Sequence, residues 1–132
     1  MVIKIRISPG ELIDKITILE IKAAAVKDKA KLKIIASEQK LLTKEFEKIQ
    51  KNFPSSLEKI KSLKKKLYSI NKKLWDTEDK LRHMESKKKF GKEFTEAARQ
   101  VYMYNDNRSK IKNNLNRLLG SKISEIKFYA KY

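Results

Sequence analysis

The sequence contains no cysteine, and histidine occurs once, at His83. The absence of thiols excludes disulfides and thiolate metal sites, and one histidine excludes a site built on several imidazoles. Only three glycines are present and they lie far apart, which excludes a glycine-rich phosphate loop. The sequence therefore indicates no cofactor and no dedicated metal site, and it assigns no catalytic residue.

Long apolar runs are also missing. No stretch approaches the roughly 18 apolar residues of a membrane span. The opening residues alternate apolar and charged side chains and lack a small-residue cleavage site, unlike a signal peptide. We therefore expect a single cytoplasmic domain over residues 1–132, without a membrane span.

Positive charge is present in large excess. Thirty-three Lys and Arg face 16 Asp and Glu, for a formal net charge of +17. Such a charge attracts nucleic acid, anionic lipid or acidic partners. An AT-rich genome also enriches lysine, isoleucine and asparagine through codon usage, so the charge has two open explanations.

Apolar residues recur at helical spacing in four stretches. Ser8, Pro9 and Glu11 fit the N-cap, first and third positions of a capping box, and Ser55 with Glu58 fits a second one. The pattern predicts a mainly α bundle of about four helices, two of them long. Their expected limits are Pro9 to about Val26, a helix capped by Asp28 to about Asn52, a helix capped by Ser55 to about Ser86, and about Glu93 to Leu119, closed by Gly120.

The chain termini show a different period. Residues 2–7 alternate between apolar and charged side chains, and Ile126 and Phe128 alternate with polar residues near the other end. This period is typical of strands and predicts a small two-stranded β pairing of the termini, packed on helices. The two helices about 40 Å long, together with their coiled-coil-like seam, also favour a homodimer.

Polar side chains interrupt faces that a bundle core should keep apolar. On the first helix Glu20 falls within the apolar arc between Ile13 and Ile16, and on the fourth helix Arg108 occupies the seam itself. A carboxylate buried without a partner costs several kcal/mol, so these groups need partners. The candidate ligand-binding residues are Glu20, Asn71, Glu78, Arg82, Asn105, Asp106, Arg108 and Lys112.

Two interpretations of these residues stay open. One is a buried ion-pair network, such as Glu20 with Arg108, that fixes the register of the helices. The other is a polar pocket between helices, where bundle proteins commonly build their sites. In the pocket, Arg108, Lys112 and Arg82 would hold a small phosphate or carboxylate, and Asn71 and Asn105 would orient it.

Two further functions compete with an anion-binding protein. The first is an all-helical phosphohydrolase that binds a divalent metal through Glu20, Glu78 and either Asp79 or Asp106, although the paired Glu-x-x-Glu motif is missing. The second is nucleic-acid binding through the lysines spaced seven residues apart from Lys59 to Lys87. The lack of aromatic residues interleaved with that stripe disfavours it. Whether the protein is an enzyme is left open.

Several motifs resemble a bacterial family of unknown function. The run from Ser8 to Lys22 is the most specific, and further matches lie around Asn71, Leu74-Trp75 and Glu78-Asp79. Others include Val101-Tyr102, Asn105-Asp106, Arg108, Lys112, Asn116, Glu125, Lys127 and Tyr129. The resemblance covers nearly the whole chain and implies a stand-alone domain in which these polar positions belong to the family pattern. It implies no activity, substrate or cofactor.

Overall fold

Four α-helices follow one another in the computed structural model, which describes residues 1–132. They are α1 (Pro9–Ala25), α2 (Lys29–Asn52), α3 (Leu57–Ser86) and α4 (Lys92–Leu118), with a short 3-10 turn at Pro54–Ser56 between α2 and α3. The mainly α bundle predicted from the sequence is confirmed, and the helix limits differ from the expected ones by two residues or fewer. No helix combines the length and the apolar character needed to cross a membrane.

The helix starts follow local capping chemistry only in part. The Ser8 hydroxyl accepts a hydrogen bond from the Glu11 backbone N–H at 3.1 Å, and Asp28 accepts one from the Lys31 N–H at 3.0 Å. The carboxylate of Glu11 instead lies 2.7 Å from Lys112 Nζ. The capping box expected at Ser55 is wrong, because Pro54 starts a 3-10 turn that already includes Ser55.

Helix α1 lies at the centre of the bundle and contacts each of the other three helices. Its Ile13 side chain is fully buried, as are Ile60 and Leu67 of α3 and Leu115 of α4. Phe46 of α2 completes this core. A helix buried on several sides must place its polar residues against partners in the neighbouring helices.

Helices α3 and α4 form a long antiparallel pair, about 45 and 40 Å in length at 1.5 Å per residue. On α3 the bundle core ends at Leu67, and on α4 it starts at Ile111. The second half of α3 and the first half of α4 therefore lie outside it. Beyond the core, Leu74 and Ala97 are buried, and an ion pair of 2.8 Å joins Lys80 to Glu93. The bundle core is therefore built at one end of this hairpin.

The predicted β pairing of the termini is wrong, since neither terminus forms a strand. Residues 121–132, here called the C-terminal segment, form neither a helix nor a strand and contact α4. The Asn113 side chain donates to the Glu125 carbonyl at 3.0 Å and accepts from the Glu125 N–H at 3.1 Å. A side-chain amide thus takes the place of a strand neighbour at this residue.

Candidate functional site

A buried ion pair joins α1 to α4. The Asp14 carboxylate is 1% exposed, and the Arg108 guanidinium donates to both of its oxygens, from Nε at 2.9 Å and from Nη2 at 2.5 Å. This two-point contact is the geometry in which arginine binds carboxylates most strongly. Hydrogen bonding to Asp14 raises the pKa of Arg108 in spite of its burial, so the guanidinium stays charged.

Helix α3 contributes to the same cluster. The Asn71 amide nitrogen donates to Asp14 Oδ1 and to Thr17 Oγ1, both at 2.9 Å. The Thr17 hydroxyl in turn donates to the Asp14 carbonyl at 2.8 Å. Asp14, Thr17, Asn71 and Arg108 form what we call the ion-pair clasp, in which the buried charge of Asp14 is fully partnered.

One turn along α4, Lys112 holds two carboxylates. Its side chain is 8% exposed, and Nζ lies 2.7 Å from Glu11 and 2.8 Å from Glu125 of the C-terminal segment. Burial opposes the charge of Lys112, but its hydrogen bonds to Glu11 and Glu125 outweigh that effect and raise its pKa. Burial also opposes the charge of Glu125, yet Lys112 and Lys127 together lower the pKa of Glu125.

The close approach of α1 to α4 depends on a glycine. The Gly10 N–H donates to the Asn116 side-chain oxygen at 2.8 Å. A Cβ at Gly10 would lie 2.7 Å from that oxygen and closer still to the carbonyl of Lys112. Glycine therefore sets the distance at which Glu11 and Asp14 reach the cations of α4.

The structure brings together only part of the candidate set. Asn71, Arg108 and Lys112 meet at or beside the ion-pair clasp, and Asn105 borders it at 3.5 Å from Arg108 Nη1. The expected pair of Glu20 with Arg108 is wrong, because Glu20 reaches Lys64 at 2.5 Å on another side of α1.

Three further candidate residues lie outside the clasp. Asp106 accepts a hydrogen bond from the Tyr132 hydroxyl at 2.7 Å. Glu78 and Arg82 are exposed on α3, and Arg82 forms no ion pair with Glu78 or Glu85.

The sequence interpretation missed several residues of the site, of which Asp14 is the central one. At 100° per residue it falls between Ile18 and Ile21, in the second apolar stripe of α1. A charged side chain within an apolar stripe is the same pattern that identified Glu20 as a candidate. Glu20 lies at the edge of the α1–α3 contact, where a lysine stem reaches it, whereas Asp14 faces α4 directly.

Two of the three cations expected to bind an anion, Arg108 and Lys112, are already neutralised, and the third, Arg82, is exposed outside the cluster. Arg108, Lys112 and Lys127 lie within ion-pair distance of Asp14, Glu11 and Glu125, which gives three positive charges against three negative ones. No group of three or more acidic or histidine side chains converges on a point that could hold a metal ion. The positive and negative charges of this cluster are therefore paired with one another, and neither Arg108 nor Lys112 is left to bind an anion.

An open groove lies beside this cluster, between α4 and the C-terminal segment. Its volume is about 660 Å³. We call it the tyrosine groove, and its lining consists of Val101, Tyr102, Asn105, Asp106, Lys127, Tyr129, Ala130 and Tyr132. The rings of Tyr102 and Tyr132 meet edge to face at 5.2 Å, and Lys127 Nζ lies 5.6 Å from the centre of the Tyr129 ring.

The tyrosine groove and the ion-pair clasp are connected through two residues. Asn105 lines the groove and contacts Arg108, and Lys127 lines the groove and lies 3.6 Å from Glu125. Most of the groove lining coincides with motif positions from Val101 to Asp106 and from Lys127 to Tyr129. The polar positions of those motifs thus surround one surface.

Fold and site together define a helical-bundle protein in which a buried ion pair joins the central helix to a long hairpin. The chain belongs to a family of unknown function, DUF6165, which it matches over residues 3–131. This membership confirms the resemblance to a family of unknown function. No curated protein and no solved structure matches the chain.

Proposed function

We propose that this is a binding protein for a small anionic ligand and that the ligand occupies the tyrosine groove. The single observation that carries the proposal is the groove lining, which combines three tyrosines with an amide, a carboxylate and a lysine. Ligand sites are commonly concave and mostly apolar, with a few polar groups, and have volumes of about 300 to 1,000 Å³. The groove volume of about 660 Å³ lies within that range.

The lining favours an anion with a flat ring. Tyr102, Tyr129 and Tyr132 offer ring faces and edges that pack on an aromatic group. Lys110 and Lys131 border the adjoining side of the C-terminal segment and form no ion pair. They add positive charge beside Lys127, whose contact with Glu125, at 3.6 Å, is the longest of the ion pairs in the cluster. A phosphate or carboxylate would lie among these lysines, while Asn105 hydrogen-bonds the ring.

In this proposal Arg108 and Lys112 position the groove and do not touch the ligand. Their charges are taken by Asp14, Glu11 and Glu125, so an anion would have to displace a carboxylate to reach them. Arg108 instead supports Asn105, and Lys112 supports the C-terminal segment through Glu125. This changes the roles expected from the sequence while keeping the class of ligand.

The test is to titrate the full chain with ATP, ribose 5-phosphate and benzoate. Binding is measured by isothermal titration calorimetry and by the shift of the thermal unfolding midpoint. We expect ATP and benzoate, which carry aromatic rings, to bind more tightly than ribose 5-phosphate, which carries none. Tyr102→Leu and Lys127→Gln should each weaken binding about tenfold or more, the loss of about 1.4 kcal/mol. The matched controls, Tyr104→Leu and Lys73→Gln, change a tyrosine and a lysine outside the groove and should leave binding unchanged.

Two results would count against the proposal. One is the absence of a thermal shift with every anion while the far-ultraviolet circular dichroism shows a folded helical chain. The other is equal weakening by the groove variants and their controls, which indicates generic attraction to the net charge of +17.

A second candidate function, polyanion binding, is favoured by one specific observation. A shallow groove between α3 and α4 is lined by Lys66, Lys73 and Lys110 and by no acidic side chain. Two of these lysines belong to the seven-residue stripe. A single-stranded oligonucleotide bound here should dissociate steeply with salt, and Lys66→Gln with Lys73→Gln should reduce the salt slope more than Lys59→Gln with Lys87→Gln.

A further inference from the structure

The turn between α3 and α4 lies at the end of the hairpin farthest from the bundle core. On α3 the core ends at Leu67, and Ser86, the last residue of the helix, lies about 28 Å further along at 1.5 Å per residue. Every residue over 85–93 is exposed. We call residues 87–92 the basic turn, because four of the six are lysines, at Lys87, Lys88, Lys89 and Lys92. The basic turn therefore projects from the molecule and is not covered by any other part of this chain.

Hydrogen bonds fix the backbone of the basic turn. The Lys89 N–H donates to the Met84 carbonyl at 2.9 Å, and the Lys88 N–H donates to the Glu85 carbonyl at 3.1 Å. These two bonds form the Schellman motif, which ends a helix with one residue in the left-handed region. The basic turn therefore presents its side chains from a defined backbone.

Lys88 adopts a conformation that is costly for a lysine. Its φ is 55°, and no other residue except glycine has a positive φ in this chain. Glycine or asparagine usually occupies this position of the motif, because a longer side chain crowds the backbone there. Since an AT-rich genome supplies asparagine as readily as lysine, codon usage does not account for Lys88. The chain keeps a positive charge at the expense of backbone strain, which points to a role for that charge.

An aromatic side chain lies among the lysines. Phe90 is 50% exposed, and its ring meets the half-buried Phe94 ring edge to face at 5.3 Å. An exposed ring flanked by lysines has the composition of segments that lie in a bilayer interface. There the ring reaches the acyl boundary, while the long lysine stems let the ammonium groups stay among the headgroups.

The positive charge of the basic turn is only partly taken up by neighbouring carboxylates. Glu85 lies 3.7 Å from Lys88, and Glu93 forms its ion pair with α3 at 2.8 Å. Lys87 and Lys89 form no ion pair and are exposed. Two unpaired ammonium groups thus flank the position before Phe90.

We propose that the basic turn docks on an anionic membrane surface, with Phe90 in the lipid interface and the lysines against the headgroup phosphates. The hairpin then holds the bundle core away from the membrane. The tyrosine groove also stays outside it, because Val101, its first residue on α4, lies about 14 Å along the helix from Lys92. The proposal therefore does not depend on a ligand in that groove.

Shape favours a lipid surface over a nucleic acid. A projecting turn reaches a flat surface with its apex, whereas sequence-independent nucleic-acid binding uses a basic groove in which successive bases stack on several aromatic rings. The basic turn has one exposed ring, and none of its residues lines the grooves described above. The charge complementarity of four lysines with anionic headgroups is used fully by a surface that the apex meets end-on.

The experiment is co-sedimentation of the full chain with vesicles of equal parts phosphatidylglycerol and phosphatidylcholine, and with vesicles of phosphatidylcholine alone. We expect binding to the anionic vesicles that weakens with salt, and far less binding to the neutral ones. Lys87→Gln with Lys89→Gln should lower the partition coefficient about tenfold or more. Phe90→Ser should lower it about fivefold.

Matched control variants separate the basic turn from the rest of the surface. Phe128→Ser changes a phenylalanine that is 98% exposed in the C-terminal segment. Lys29→Gln with Lys33→Gln removes two exposed lysines from α2, the same loss of charge as in the turn. Both controls should change the partition coefficient far less than the turn variants, while circular dichroism shows the same helix content in all of them.

Lys88→Gly separates charge from backbone conformation. Glycine relieves the positive φ, so the midpoint of thermal unfolding should rise. The same change removes a lysine from the turn, so binding to the anionic vesicles should fall about fivefold. A role in helix termination alone predicts the rise without the loss of binding.

Three outcomes would overturn the proposal. The first is a folded chain that does not sediment with the anionic vesicles. The second is equal weakening by the turn variants and their controls, which indicates attraction to the net charge of the whole chain. The third is binding of a single-stranded oligonucleotide that the turn variants abolish, without vesicle binding, which assigns the basic turn to nucleic acid.

Discussion

Two cations one turn apart on α4 hold their carboxylates in different surroundings. Arg108 holds Asp14, which is 1% exposed and belongs to the central helix. Lys112 holds Glu125, which belongs to the C-terminal segment, where the neighbouring Ile126 is exposed to solvent. Removing one partner of a buried pair leaves an uncompensated charge in a low-dielectric interior. Removing Glu125 frees a segment that adds nothing to the apolar core. One pair therefore joins two helices of the bundle, and the other attaches the C-terminal segment to α4.

The largest effect is expected from Arg108→Met, which tests whether the buried pair stabilises the fold. This variant leaves the Asp14 carboxylate buried without its cation. We expect a loss of about 3 kcal/mol or more in the free energy of unfolding, measured by urea denaturation. Asp14→Asn added to Arg108→Met should recover part of the loss, because it removes the stranded charge. Arg82→Met, at an exposed arginine, is the control and should change stability by less than about 0.5 kcal/mol. A loss at Arg108 no larger than at Arg82 would show that the clasp does not stabilise the fold.

The next largest effect is expected from Gly10→Ala. The added methyl group meets the Lys112 carbonyl and Asn116, so α1 must move away from α4 or lose the hydrogen bond of Gly10. Overpacking of this kind costs about 1–3 kcal/mol. Gly91→Ala is the matched control, since no atom lies within 4 Å of its added Cβ. Equal stability of the two variants in thermal denaturation would contradict the close approach of the helices.

The attachment of the C-terminal segment should depend on pH. The pKa of Glu125 lies below its ordinary value of 4.5, so its contribution is complete above that pH and is lost as the pH falls through the lowered pKa. The pKa of Lys112 lies above 10.5, so its contribution is complete below that value and is lost as the pH rises through the raised pKa. The segment should therefore stay attached between these limits.

Chemical shifts of Glu125 and Asn113 across an acid titration measure this release. We expect them to move below pH 4.5 while the circular dichroism of the helices is still constant. Glu125→Gln should abolish the acid step, because no carboxylate remains to be protonated. An unchanged step in that variant would assign the titration to another group.

The smallest effect is expected at Glu20, whose partner Lys64 is partly solvated. Ion pairs with solvent access contribute about 0–1 kcal/mol. Glu20→Gln should therefore lower the free energy of unfolding by about 1 kcal/mol or less in the same urea experiment. A loss as large as that of Arg108→Met would remove the distinction between buried and solvated pairs on α1.

Local sequence determined most of the secondary structure. Ser8 and Asp28 cap helices because their side chains reach backbone N–H groups three residues later, and Gly120 adopts the positive φ of 61° suited to a helix end. The apolar period also placed Ile13 and Ile16 on the core-facing side of α1, where both are buried. These features depend on residues close together in the chain, so they can be predicted without the tertiary structure.

Tertiary structure alone decided which polar groups meet. Periodicity places Glu20 and Asp14 equally well on apolar faces of α1, but it does not give the angle at which α1 crosses α3 and α4. That angle directs Asp14 to Arg108 and Asn71 and leaves Glu20 to Lys64. At Glu125 in the C-terminal segment, the Asn113 side chain hydrogen-bonds both backbone groups that a neighbouring strand would use. Sequence fixes which face a side chain occupies along its own helix, and only the packing of several helices decides what lies opposite that face.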